Sequence, residues 1–350
     1  HTRCSRDWSS DVCSSDLLMV PFWFWPYAVA CGNTYIIKPS EQDPLPLVRI
    51  FELLDQCGFP PGVINLVQGT RDAVDAILDE PRIQGISFVG SSPVARYIYS
   101  RASANGKRVQ AQGGAKNTLV VLPDAVPMVT GAVTNILGSC FGAAGQRCLA
   151  GSILLTVGDV HTAVMDTLVS ATRALKVGDG ADPSVDVGPV VSAASRDRIM
   201  GNIDAGAASG ATLLVDGRKP HLAAANADGF FVGPTLFDHV GPENALAQTE
   251  IFGPVLSVDN VPTLDAAIDR INAGSFGNAA SLYTGSGKAA REFRHRVVAG
   301  NVGINVGVAA AMAYFPFAGM KASFFGTLHG QGRDAVEFFT HKKIYIERWF

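Results

Sequence analysis

The chain has 350 residues, which at roughly 150 per domain suggests about two domains. Apolar residues make up 47% and charged residues only 17%, which excludes a disordered chain, since that needs low hydrophobicity and high net charge. Lys and Arg number 28 against 31 Asp and Glu, giving a net charge of −3 with no basic surplus to hold nucleic acid. So lean a charge content also suggests a surface partly buried against another subunit.

The first seventeen residues stand apart. His1 to Leu17 contains the near-repeat Ser9-Ser10-Asp11-Val12 and Ser14-Ser15-Asp16-Leu17 around Cys13, with no helical or strand period. The chain opens on His rather than Met. A disordered tag or translated adaptor sequence accounts for this leader, and it is set aside from fold reasoning. Leu17 to Cys31 is apolar but too short for a membrane span, which needs about 20 residues. Pro21 and Pro26 interrupt it, and it reads as a buried helix beside a strand. Cys31, Cys57, Cys140 and Cys148 have no C-x-x-C spacing and no histidine set, so reduced thiols in the cytoplasm are expected rather than disulfides or zinc.

From residue 34 strands and helices alternate. Strands are expected at 34–37, 63–67, 85–89, 108–111 and 118–122, with helices at 44–56, 72–78 and from Pro93 to about Ala104. The second half reads as a long helix at 126–143, a strand at 152–156, helices at 161–175 and 193–208, and strands at 212–215, 252–258, 280–283 and 301–304. Such alternation predicts an α/β protein with a parallel sheet. Lys342 to Glu347 alternates like a strand, and a terminal strand with an open edge is a template for pairing with another subunit.

Four stretches carry possible chemistry. Gly85 to Pro93 is strand, glycine turn and helix start; the helix N-terminus with Ser91 suits a dinucleotide pyrophosphate, or Ser92 before Pro93 is an ordinary helix cap. Lys38 and Glu41 end a strand and either hydrogen-bond a ribose diol or form a solvated turn. Around Cys148, the run Gly142-Ala143-Ala144-Gly145-Gln146-Arg147 removes bulky side chains and adds a cation, which favours a thiolate nucleophile; a structural cysteine is the alternative. Glu250-Ile251-Phe252-Gly253-Pro254 sets a carboxylate and an aromatic ring before a tight turn.

Taken in order, IIKPSE, FVGS, GGAKN, GAAGQRC and EIFGPV resemble the aldehyde dehydrogenase superfamily over about residues 18–350. VQAQGGAKN, GQRCLA and the C-terminal INVGVAAAMAYFPFAGMKASFFGTLHGQG resemble its CoA-acylating methylmalonate-semialdehyde branch. The resemblance implies an aldehyde dehydrogenase-like α/β fold: a leader at 1–17, a partial Rossmann-like NAD-binding domain at 18–112, a catalytic domain at 113–325, and a C-terminal return with an oligomerisation strand at 326–350. It implies Cys148 as nucleophile and Arg147 as the clamp for a substrate carboxylate. It further implies Lys38, Glu41, Gln42, Ser91, Gly113, Glu250 and Phe252 as NAD contacts. Glu41 would repel a 2′-phosphate, which favours NAD over NADP.

Hydrolytic members of the family carry a Glu before Leu-Gly-Gly, and Ala111 is taken to hold that place here. Without a general base water attacks a thioester poorly, whereas a thiol such as coenzyme A needs less help. The expected activity is therefore oxidation of malonate or methylmalonate semialdehyde to acetyl- or propanoyl-CoA, by a homo-oligomer with small-molecule substrates and no metal, membrane or nucleic acid. A hydrolytic aldehyde dehydrogenase and a non-catalytic fragment assembling with intact subunits are the alternatives. The resemblance also implies a missing N-terminal portion and a missing oxyanion-hole Asn, since no Asn precedes Asn33. Poor activity or stability of this chain is the corresponding expectation.

Overall fold

The computed structural model describes residues 19–350, so the leader lies outside the described residues. The first lobe contains α1 (Trp25–Ala30), β1 (Tyr35–Ile37), α2 (Leu45–Asp55), β2 (Ile64–Leu66), α3 (Arg71–Asp79), β3 (Gly85–Val89), α4 (Ser92–Ala104) and β4 (Arg108–Gln112). Next come β5 (Asn117–Val121), α5 (Val129–Phe141), β6 (Gly151–Val157), α6 (His161–Ala174), α7 (Ala193–Ala208), β7 (Thr212–Val215) and β8 (Thr235–Asp238). The chain continues with α8 (Ala245–Gln248), β9 (Val255–Val261), α9 (Leu264–Ala273), β10 (Phe276–Gly277), β11 (Ala279–Tyr283), α10 (Gly287–Arg296) and β12 (Asn301–Ile304). It closes with β13 (Met320–Lys321), β14 (Phe324–Gly326) and α11 (Gly332–Phe338).

The second lobe is a seven-stranded sheet in the order β12-β11-β5-β6-β9-β8-β7, parallel throughout except for β7. Strand β5 is buried along its whole length and β6 nearly so, as expected for central strands covered on both faces. One face packs on α5, α6 and α7 around Ile136, Phe141, Leu168 and Ile203. The other packs on α9 and α10 around Ile268 and Phe293. Ser192, Thr263 and Ser286 cap α7, α9 and α10 with side-chain oxygens, which explains their sharp starts.

The first lobe holds parallel β1 and β2, and a three-stranded sheet β14-β4-β3. Strand β14 runs antiparallel to β4, so the C-terminal part of the chain returns to the first lobe. Phe338 and Phe339, at the end of α11, pack with Trp23, Phe24, Tyr35 and Phe317 in one cluster.

Two expectations need correction. The long helix at 126–143 is split: a 3-10 turn covers Pro123–Met128, α5 follows, and a second turn covers Gly142–Gly145. Pro127 has no N–H to donate and Gly142 leaves the helical region, so one continuous helix cannot form. Pro123–Gly145 is long and apolar enough to cross a membrane, yet Ala132, Val133, Ile136, Cys140 and Phe141 of α5 belong to the main core. The described part of the Leu17–Cys31 stretch, from Met19 on, is no single helix either; a 3-10 turn at Pro21–Trp23 and α1 share it, each with a proline in its first turn. Residues 342–347 lie exposed and pair with no strand of this chain; their expected pairing is with another subunit.

Candidate active site

The glycine-rich run before Cys148 has unusual backbone geometry. Ala143, Ala144 and Gly145 take consecutive positive φ values of 52°, 52° and 71°. For the two alanines this costs about 1–2 kcal/mol each, so the surrounding structure must hold the loop. Gln146 does part of this, accepting from the Val191 N–H at 3.0 Å. Gly145 is required for a second reason. A Cβ there would lie 2.2 Å from the Gly253 carbonyl oxygen. Gly145→Ala is therefore expected to cost about 2–4 kcal/mol, read as a lowered chemical denaturation midpoint at unchanged slope. A midpoint equal to wild type would contradict the close packing of these two loops.

The loop presents Cys148 partly exposed, against the cluster that contains Val89, Leu149 and Phe317. Two buried asparagines grip its main chain: Asn117 Nδ2 and Asn278 Nδ2 donate to the Cys148 carbonyl at 2.8 and 2.6 Å. Asn117 also donates to the Ala150 carbonyl and accepts from the Ala279 N–H, tying β5, β11 and the cysteine loop together. Neither asparagine is singled out in the sequence: Asn117 only closes the GGAKN run, and Asn278 sits between β10 and β11 with nothing to mark it. Arg147 is half-buried and its guanidinium lies over Gly142, where a Cβ would come within 3.1 Å of Nη1. Cys140, by contrast, is sealed in the core, and burial pushes its thiol well above the ordinary range.

A separate cleft of about 540 Å³ is lined by Gln42, Ser91, Ser92, Arg198, Glu250 and Phe276, among others. It brings together three of the residues singled out above: Gln42, Ser91 and Glu250. Ser91, rather than Ser92, occupies the N-cap position of α4, yet its side chain makes no capping hydrogen bond. Ser92 is turned the other way, donating to the Ala322 carbonyl at 2.6 Å and accepting from the Gly114 N–H at 2.9 Å. Glu250 Oε1 accepts from the Ala115 N–H at 2.8 Å. A Cβ on Gly114 would lie 2.1 Å from Glu250 Oε2, so only glycine admits the carboxylate there. Gly113 sits just before, where a Cβ would meet the Ala322 carbonyl at 2.5 Å.

Lys38 is fully buried at the end of β1, paired with Glu41 at 3.3 Å and donating to the Pro39 carbonyl. Phe252 is half-buried with φ of 51° and is not among the residues lining the cleft. Neither Cys148 nor Arg147 lines it.

The strand pattern corrects one assignment. Along β4, Val109 and Ala111 face the cluster under α4 with Phe88 and Ile98. Gln112 pairs with Val89, and its amide donates to the Phe317 carbonyl at 3.0 Å. Both of these neighbours belong to the cluster against which Cys148 packs. Position 112, not Ala111, therefore faces the cysteine side, because successive strand residues alternate faces. The group there is a carboxamide, with no capacity to act as a base.

An α/β fold with a partly exposed cysteine after a strained glycine loop, and a separate cleft made by a helix N-terminus and a carboxylate, has the form of a cofactor-dependent dehydrogenase. The aldehyde dehydrogenase family model matches residues 17–345, and the chain belongs to this family. Malonate-semialdehyde dehydrogenase 1 of Bacillus licheniformis is 49% identical over 333 residues, covering 95% of this chain and 68% of the relative. The solved methylmalonate-semialdehyde dehydrogenase of Oceanimonas doudoroffii superimposes with a TM-score of 0.95 at 44% identity, covering 99% of this chain and 70% of that one. A methylmalonate-semialdehyde dehydrogenase-type structure from Sinorhizobium meliloti, solved with NAD, gives a TM-score of 0.92 at 42% identity over 95% of this chain and 67% of that one.

Proposed function

We propose that the chain oxidises malonate or methylmalonate semialdehyde with NAD and passes the acyl group from Cys148 to coenzyme A, giving acetyl-CoA or propanoyl-CoA. The observation that carries the CoA step is Gln112, a carboxamide where strand alternation turns a side chain toward the cysteine cluster. Its support for the substrate class is the similarity to the semialdehyde dehydrogenases above.

The cleft residues fit a dinucleotide. Ser91 and the first turn of α4 would meet the pyrophosphate, Lys38, Glu41 and Gln42 the adenosine ribose, and Glu250 the nicotinamide ribose. Gly113 and Phe252 lie on the loops that would pass the nicotinamide end. When bound, NAD accepts the hydride.

Cys148 Sγ, as thiolate, bonds to the aldehyde carbon while the carbonyl π pair moves to oxygen. The Cys148 N–H is the donor this loop offers to that oxyanion. Loss of hydride from the same carbon leaves a thioester on Cys148. The bond between the α-carbon and the carboxylate then breaks to release carbon dioxide; its electron pair stays on the α-carbon, which takes up a proton from solvent. The CoA sulfur next bonds to the thioester carbon as the bond to Cys148 Sγ breaks, and the CoA proton passes to the departing thiolate. Arg147 grips the carboxylate beforehand, as a guanidinium can through two N–H donors. Arg147→Leu should then reduce kcat/KM for a semialdehyde acid about 10–100-fold more than for a neutral aldehyde, the scale of a charge-assisted hydrogen bond. Equal losses on both would remove Arg147 from this role.

The same reading places the chain in the cytoplasm, with no disulfide among its described cysteines, and in a homo-oligomer. Ile344, Tyr345, Ile346 and Trp349 expose the apolar surface that a second subunit would cover. The direct test supplies malonate semialdehyde, NAD and CoA and identifies the product. Acetyl-CoA is expected; free malonate formed whether or not CoA is present would overturn the proposal.

A further inference from the structure

Helix α5 sends two polar side chains to one glycine. Asn135 and Ser139 lie one turn apart, so they share a face of the helix. Asn135 Oδ1 accepts from the Gly307 N–H, and Ser139 Oγ donates to the Gly307 carbonyl at 2.6 Å. Both main-chain groups of one residue are thus held by one helix. A side chain on Gly307 would prevent this approach: its Cβ would lie 2.6 Å from the Asn135 carbonyl oxygen and 3.0 Å from the Ser139 Cβ. Tyr283, at the end of β11, donates to the same Asn135 Oδ1 at 2.9 Å and fixes that amide.

Ser139 also reaches the cysteine side. It is buried, and its Oγ accepts from the Gly151 N–H at 2.9 Å. Gly151 opens β6, just after Cys148. One hydroxyl therefore ties the chain leaving the nucleophile to the Gly307 turn. The residue after Gly307 is Val308, which packs against the same apolar cluster as Cys148. Asn305 fixes the turn upstream, with φ of 56° and amide hydrogen bonds to Thr284 in both directions. Downstream, the Ala313 carbonyl accepts from the Tyr27 hydroxyl and from the Gly332 N–H.

We propose that Asn135 and Ser139 are positioning residues for the acyl group: by clamping Gly307 they set how far Val308 stands from the Cys148 loop, and so how bulky an α-substituent the aldehyde can carry. The consequence for the substrate rests on the semialdehyde reading given above; the clamp's effect on access to Cys148 does not. Both residues act through Val308 and the Cys148 loop rather than on the reacting atoms. Without the Ser139 hydroxyl, the Gly307 carbonyl and the Gly151 N–H each lose a partner, and the turn is released. Asn135 is exposed, so changing it frees the Gly307 N–H with less harm to the core.

The test uses the full chain with Ser139→Ala, Asn135→Ala and Asn135→Asp, the last keeping an acceptor oxygen for Gly307 and Tyr283. Cys148 is alkylated with iodoacetamide and with the bulkier N-phenylmaleimide, and labelling of its own peptide is followed by mass spectrometry. Each rate is divided by that of free cysteine, so the ratio of the two reads the space beside the thiol without any catalysis. Ser139→Ala and Asn135→Ala should shift this ratio toward the bulky reagent about five- to tenfold, the scale of one lost hydrogen bond. Asn135→Asp should keep the wild-type ratio. The preference in kcat/KM for methylmalonate over malonate semialdehyde should rise in the same two variants and not in Asn135→Asp. Lowered unfolding midpoints with unchanged ratios, or an Asn135→Asp ratio that follows Asn135→Ala, would overturn the proposal. If Ser139→Ala fails to fold, the two Asn135 variants decide alone. Wild type that oxidises neither semialdehyde would remove the functional reading, while the alkylation ratio still decides the clamp.

Discussion

Cys148→Ala is expected to abolish turnover of the semialdehyde, a fall of about 10⁵-fold or to background, the scale for losing a covalent nucleophile. The residual protein should fold normally, since the loop is held by main-chain contacts that alanine retains: the Asn117 and Asn278 bonds run to the residue-148 carbonyl. NAD binding should likewise survive, because Cys148 is not among the residues lining the cleft. Cys140→Ala is the control. Its thiol is buried and held protonated, so activity should change little while stability drops slightly. Substantial turnover by Cys148→Ala, with Cys140→Ala inactive, would reverse the assignment.

Gln112→Glu should open a hydrolytic route. On the proposed function, the thioester on Cys148 in wild type without CoA would meet water unaided, and deacylation should be slow. A carboxylate at position 112 faces the same cluster and can take a proton from that water, which is worth about 10²–10⁴-fold. The Phe317 carbonyl now receives the Gln112 amide and would lose that donor, so the variant should be less stable by about 1 kcal/mol. Ala111→Glu should give no such gain. Its carboxylate would enter the apolar cluster under α4, beside Phe88 and Ile98, and destabilise the fold instead. Faster CoA-independent deacylation in Ala111→Glu than in Gln112→Glu would contradict the observed strand alternation.

Much of the fold was legible because its strands obey simple patterns. Gly85–Val89, Thr212–Val215 and Asn301–Ile304 fall where the sequence puts them, and so does the helix Ala193–Ala208. The elements that escaped are of another kind. Helix α10 begins at Gly287 and is strongly charged, so its single buried phenylalanine, Phe293, gives little period to read. Strand β14 has three residues and exists only because β4 offers an edge. Conversely, residues 342–347 alternate like a strand but have no partner here. Pairing is a property of two segments, and one segment's sequence cannot report it.

The candidate site divides the same way. The cysteine loop announced itself through small residues, although their left-handed geometry appears only in three dimensions. Glu250 and Gly114 are 136 positions apart, and the fit of a carboxylate over a missing Cβ needs the fold. Register misled in one place: counting from the glycines pointed to Ala111, whereas the pleat turns Gln112 toward the cysteine.

The central claim is a thioester on Cys148 that coenzyme A, not water, removes. Its most direct test is intact-protein mass spectrometry of the chain after a single turnover with NAD and malonate semialdehyde, first without CoA and then after adding it. The account predicts an acyl adduct on Cys148 that persists without CoA and disappears on its addition, with acetyl-CoA appearing in equal amount. An adduct that decays at the same rate with and without CoA, releasing free acid, would contradict it.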